Sequence, residues 1–172
     1  MRITISIEDP RAEDVSTLLA THLAFSRSAT PAEYSFALDV DELLESSVTF
    51  FAAREEGQLV GVAALKELDC SHAELKSMHI VESQRNRGVG QALVRHVLAH
   101  ARKAGYRQVS LETGSTDEFA PARCLYVKAG FEPCGPFGGY RASPYNTFMT
   151  ASLEIRPGTP PNDRRDRNHS AP

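Results

Sequence analysis

Residues 73 to 104 read AELKSMHIVESQRNRGVGQALVRHVLAHARKA, and the fold turns on how this stretch is read. Residues 73–81 read as a strand. Residues 85–90, Arg-Asn-Arg-Gly-Val-Gly, read as a tight cationic loop. Val89, Leu93, Val94, Val97, Leu98 and Ala101 recur at helical spacing, with Arg95, His96 and Arg102 opposite, so the spacing predicts a helix over 89–104. Gly105 is its natural C-terminal stop. A strand, a glycine loop and a helix N-terminus together make an anion site. The first backbone N–H groups of a helix have no acceptor within it, and the helix dipole puts partial positive charge there. Gly88 and Gly90 remove side chains from the approach, and Arg85 and Arg87 add full charges. Two other phosphate loops are excluded. No Lys-Ser or Lys-Thr follows the glycines, and position 93 is Leu where a dinucleotide fingerprint needs Gly.

The 172 residues suit a single domain. An apolar content of 41% and a charged content of 24% are ordinary for a globular chain. The net charge of −3 offers no general attraction to nucleic acid or to an anionic membrane, so the basic run at 85–87 reads as a local site feature. The N-terminus lacks the apolar run of a signal peptide, and no stretch reaches the ~18–20 apolar residues of a membrane span. Cys70, Cys124 and Cys134 form neither a metal pattern nor a disulfide framework, so no metal and reduced, cytoplasmic thiols are expected. Cys124, within an apolar helical pattern, reads as core.

Outward from the central stretch, residues 2–7 alternate as a strand and 11–25 carry a helical pattern. Residues 26–37 read as a loop, followed by a short helix capped by Asp39. Residues 48–55 and 59–68 read as strands joined by a turn at Glu56-Gly57-Gln58. After the central helix come a strand at 107–113, a helix at 117–129 ended by Gly130, and strands at 131–134 and 146–153. The Gly- and Pro-rich segment between those last strands is expected to be a structured loop. Residues 1–155 read as one folded unit, and 156–172, without apolar periodicity, as a disordered tail. The order is mixed α/β (α+β).

Arg85-x-x-Gly88-x-Gly90, after a strand and opening a helix, resembles the pyrophosphate loop of the GCN5-related N-acetyltransferases, the GNAT superfamily. A second segment, APARCLYVKAGF at 120–131, is similar to that family's A-x-x-L-Y-x-x-x-G-F helix through Ala122, Leu125, Tyr126, Gly130 and Phe131. The element order also matches, and the chain resembles the small, single-domain bacterial members. One departure is Phe119, where many members carry Asn, which removes a polar contact to the cofactor.

The resemblance implies a GNAT fold, acetyl-CoA as cosubstrate, and acetyl transfer to a primary amine by direct attack. It assigns cofactor binding to Arg85, Arg87, Gly88, Val89, Gly90 and Gln91, and to backbone groups of Met78, His79 and Ile80 on a strand that splays from its neighbour. Tyr126 matches the family's general acid for the departing thiolate. An ammonium with pKa ~10.4 needs a base near neutrality. Glu74, fourteen residues before Gly88, stands where some members carry a catalytic Glu, with Glu112 and His79 as rivals. Strict alternation would put Glu74 on one face with Lys76, Met78 and Ile80.

The acceptor pocket in such folds draws on the loop after the first helix and the loop between the last strands. Here these supply His22, Arg27, Ser28 and Tyr34, and Phe137, Tyr140 and Arg141. Arg27 and Arg141 are positioned in sequence to hold a substrate carboxylate. A small-molecule amine is the leading acceptor. Protein or peptide acetylation is the alternative in the same class, and a non-catalytic CoA-binding sensor is the alternative in another. No nucleic-acid or membrane partner is expected, and the resemblance leaves room for a homodimer.

Overall fold

The computed structural model describes residues 2–31, 33 and 36–154. Its elements run β1 (Ile3–Ile7), α1 (Glu13–Ala29), α2 (Val40–Leu43), β2 (Val48–Glu55), β3 (Gln58–Glu67), β4 (His72–Ile80), α3 (Val89–Ala104), β5 (Gln108–Gly114), α4 (Ala120–Lys128), β6 (Glu132–Cys134) and β7 (Asn146–Ser152). Single 3-10 turns at Glu82–Gln84 and Asp117–Phe119 precede the loop before α3 and the start of α4. The strands form one sheet in the order β1-β2-β3-β4-β5-β7-β6. All neighbours are antiparallel except β4 and β5, the pair that α3 connects. A parallel pair requires such a crossover.

Each face of the sheet has its own apolar layer. On one, Val89, Leu93, Val94, Val97, Leu98 and Ala101 of α3 join Phe51, Leu65, Leu75, Leu111 and Tyr126 of α4. On the other, Val15 and Leu19 of α1 and Leu43 of α2 meet Phe50, Val62 and Ala64. The predicted face of α3 is therefore the buried one, although His96 is half-buried and edge-packs on Phe51 with His100, at 5.6 and 5.1 Å between centroids. Asp39 caps α2 in a reciprocal box: its carboxylate accepts the Glu42 N–H (2.9 Å), and the Glu42 carboxylate accepts the Asp39 N–H (2.8 Å).

Several boundaries differ from the expected ones for local reasons. α1 runs four residues past 25, to Ala29. It stops where Thr30 is extended, φ −143° and ψ 136°, because the residue before a proline is pushed out of the helical region. The helix expected over 117–129 is divided at Ala120, next to Pro121, which suits a first turn. Cys124 is exposed, which corrects the core reading. Ala122, Leu125 and Ala129 pack with Tyr126 on the core, so positions 124, 127 and 128 of the same helix turn outward.

The main departure is in β4. Lys76 pairs with Ala64 and His79 with Val62, so one extra residue is accommodated on β4 between them. Ser77 carries the irregularity, with φ +51°. Strict alternation fails there. Leu75 packs on the α3 layer, and so do Met78 and Ile80, while His79 turns to α1 and meets His22. Glu74 and Lys76 thus share a face with His79, not with Met78 and Ile80. β4 and β5 pair only from His72–Glu74 to Gln108–Ser110. Beyond Glu74 they part, and the parting opens a cleft.

Candidate active site

The cleft has a volume of about 790 Å³ and runs from the loop before α3 to the closed end of the splay at Glu74. At the loop end, Asn86 (φ +61°) and Gly88 (φ +83°) both adopt left-handed backbone. Gly88 is the residue that precedes α3, so a side chain there would strain the turn that aims the helix. The first backbone bond into the helix runs from the Ala92 N–H to the Gly88 carbonyl (3.0 Å). The N–H groups of Val89, Gly90 and Gln91 therefore have no intrahelical acceptor and point out of the helix end. Arg85 lines the cleft beside them. Arg87 does not line it. Its guanidinium donates to Gln84 and pairs with Glu55 at 3.3 Å. A Cβ on Gly90 would stand 3.0 Å from Leu125 Cδ2, so this glycine also lets α3 approach α4.

The middle of the cleft is bounded by Met78, His79 and Ile80 of β4 and by Ala122, Leu125 and Tyr126 of α4. Past Glu74, the side of β4 that faces β5 has no strand partner, so its backbone groups are presented to the cleft. Ser77 Oγ is buried without a hydrogen-bond partner among the described residues. Tyr126 is 6% exposed and edge-packs on Phe131. Burial, and then the charge of Glu112, push its phenol well above the usual range. Phe119 lies flat against Gly114, where a Cβ would stand 2.1 Å from the ring, and meets Phe25 of α1 at 5.2 Å between centroids.

The closed end holds the titratable cluster. Glu74 Oε1 accepts from Lys76 Nζ (3.1 Å) and from the Tyr140 hydroxyl (2.5 Å), and Lys76 Nζ also donates to that hydroxyl (2.5 Å). Tyr140 comes from the β6–β7 loop, held by Phe36, Phe137 and Phe148 at 5.0 to 5.8 Å between centroids. Its phenol is pushed up by burial and by Glu74. Glu112 of β5 lines the same end, and its carboxylate makes no hydrogen bond among the described residues. Burial lifts its carboxyl to about 7; Lys76 opposes the shift and Glu74 adds to it. His22 and His79 face each other with Nδ1 atoms 3.3 Å apart. Burial, and then His79, lower His22 to about 4, and burial followed by Arg85 lowers His79.

With this geometry in view, comparison with known proteins is decisive. Residues 15–131 match the model of the acetyltransferase (GNAT) family. An uncharacterised N-acetyltransferase of Bacillus subtilis is 40% identical over 87% of this chain and 99% of its own length. An IAA acetyltransferase of Azospirillum brasilense is 32% identical over 88% and 98%. A solved Klebsiella pneumoniae structure, described as an acyl-CoA N-acyltransferase, superposes with a TM-score of 0.76 at 25% identity, covering 88% of this chain and 98% of that one.

The chain belongs to the GNAT family.

It has the GNAT fold and is an acetyl-CoA-dependent N-acetyltransferase. The cleft suits that cosubstrate. The GNAT loop presents three helix-end N–H groups, a glycine whose conformation only glycine adopts easily, and Arg85, followed by a splay with unpaired strand backbone. Of the residues singled out in the sequence, Glu74, Met78, His79, Ile80, Arg85, Gly88, Gly90, Gln91 and Tyr126 line the cleft. Val89 has its side chain in the core and offers its backbone alone. Tyr140 stands behind Glu74 and Lys76. Arg27 and Arg141 are exposed and outside the cleft walls, and Tyr34 lies outside the described residues, as does the tail. Phe25, Phe36 and Ser77 belong to the walls and had no signal in the sequence. Among the described residues no three His, Cys, Asp or Glu side chains group as metal ligands, and no helix is long and apolar enough to cross a membrane.

Proposed function

We propose that this GNAT enzyme transfers the acetyl group of acetyl-CoA to the primary amine of a small molecule by direct attack in the splayed cleft. The observation that carries this reading is the contrast between two carboxylates. Glu74 is engaged by Lys76 and Tyr140, whereas Glu112 is unpaired, faces the cleft and titrates near neutrality. A base that must take a proton near pH 7 works best with a pKa in that range. Glu112 therefore takes the amine proton. Glu74 holds Lys76 and Tyr140 in place.

Acetyl-CoA supplies the acetyl group already activated as a thioester. Arg85 and the N–H groups of Val89, Gly90 and Gln91 hold its pyrophosphate, and the β4 backbone at Met78, His79 and Ile80 lies along its arm. Tyr126 Oη keeps its proton at every working pH, because burial and Glu112 both disfavour the phenolate. It thus serves the departing thiolate as a hydrogen-bond donor more than as a full acid, since a thiol near pKa ~8.5 is the stronger acid of the two. What supports a small acceptor is the enclosure of the Glu74 end by Phe36 and by Tyr140 of the β6–β7 loop. The test is thiol release from acetyl-CoA over a panel of small primary amines and unstructured peptides. Turnover with small amines but not peptides is expected, and turnover confined to peptides would reverse the assignment.

A further inference from the structure

We infer that the acceptor is a primary amine with an aromatic or comparably apolar body and no acidic group. This rests on the acetyl-transfer reading above and names its substrate class. The argument is a charge balance at the closed end of the cleft. Three ionisable side chains meet there: Glu74, Lys76 and Glu112. Lys76 and Glu74 are 8% and 4% exposed at their side chains and paired at 3.1 Å, so they cancel. Lys76 also donates to the Tyr140 hydroxyl and lies 5.3 Å from that ring's centroid, which leaves it committed on two sides. Among the described residues the Glu112 carboxylate has no ion pair or hydrogen bond of its own.

Among the described residues Lys76 is the cation bonded at this end, and Lys128, which also lines the cleft, ends α4. Arg27 and Arg141 are exposed and outside the walls, and Arg85 belongs to the loop end of the cleft. The His22–His79 pair adds no cation near neutrality, because burial holds both imidazoles below their usual range. A substrate ammonium meets an unpaired carboxylate, which is complementary. A substrate carboxylate would meet Glu112 with Lys76 already paired to Glu74 and Tyr140, in a site partly removed from water, where like charges are penalised most. Aromatic rings form part of the remaining wall. Phe36 is set edge-on to Tyr140 at 5.0 Å, and Phe25 meets Phe119 at 5.2 Å. These two ring pairs offer apolar area to a flat or branched substrate body.

Three matched acceptors separate charge from size: 2-phenylethylamine, phenylalaninamide and phenylalanine, with spermidine as a cation lacking a ring. Each is assayed by thiol release from acetyl-CoA with the wild-type enzyme. The expected result is kcat/KM for the first two within about tenfold of each other and for phenylalanine lower by roughly thirtyfold or more, as a like charge at a few ångströms in a half-buried site requires. Spermidine is expected below 2-phenylethylamine. Phenylalanine matching the amine overturns the proposal. So does phenylalaninamide falling as far as phenylalanine, since size and not charge would then discriminate. Spermidine as the best of the four overturns the apolar half. Acetyl-CoA binding without thiol release on any amine would instead overturn the acetyl-transfer reading, and the proposal with it.

Discussion

Glu112 lies on β5, one of the two strands that part, opposite Phe148 in register, and burial lifts its carboxyl to about 7 from the usual acidic range. A residue selected only for packing would be better served by glutamine, which fills the same volume without a charge to desolvate. As the base, Glu112 must be deprotonated in the free enzyme. The kcat/KM of the wild type for an accepted amine should therefore rise with pH through about 7. Replacing Glu112 by Gln should lower kcat/KM by roughly 10²–10⁴-fold and abolish that limb. The pH profiles of the two proteins decide the matter, and a limb that survives in Glu112→Gln would transfer the role elsewhere. Glu74 is the control for this reasoning. It stands at the position the family resemblance favours, yet its Oε1 already accepts from both Lys76 and Tyr140.

The bulge in β4 is the element on which the site depends, because it turns His79 to one face and Met78 and Ile80 to the other, next to the point where β4 leaves β5. It rests on Ser77, a non-glycine residue at φ +51° with an unpartnered hydroxyl. Left-handed backbone at such a residue costs about 1–2 kcal/mol relative to glycine. Ser77→Gly is therefore expected to raise the unfolding free energy by roughly 1 kcal/mol in urea titrations, and a loss of stability would show that the hydroxyl has a structural partner after all. No sequence pattern announces this bulge. The register is set by pairing with β3 and β5, which the residues of β4 do not encode by themselves. The loop and α3 were legible for the opposite reason: glycine conformation and helical periodicity are local, so residues 85–104 carry their own instructions. The hairpin after Glu55 and the Asp39 cap are local in the same sense. Arg27, which falls within α1, and Arg141 show the limit of that reading, because residues close in sequence to a pocket need not face it.

At the scale of the whole molecule, the cleft couples two half-buried groups whose pKa values are shifted in opposite directions. His22, which ties α1 to β4 through His79, has its folded pKa lowered to about 4 from 6.5. Between those values the unfolded chain binds the extra proton, so stability from this group is present above pH 6.5 and is lost as pH falls toward 4. Glu112 has its folded pKa raised to about 7 from 4.5, so the folded state binds the extra proton. Its contribution is present below pH 4.5 and is lost as pH rises through 7. The two windows overlap almost fully, and each slope is at most about 1.4 kcal/mol per pH unit. In the wild type they offset each other. Replacing Glu112 by Gln leaves the histidine slope alone, so the variant should lose stability relative to wild type as pH drops from 7 to 5, by roughly 1–3 kcal/mol. Replacing His22 by Gln should do the reverse. Urea unfolding at pH 5, 6 and 7 reads both, and using the difference from wild type removes the groups common to all three proteins. Parallel curves for all three would mean that neither group is held away from water as firmly as the packing of α1 and the β6–β7 loop against this end of the sheet requires.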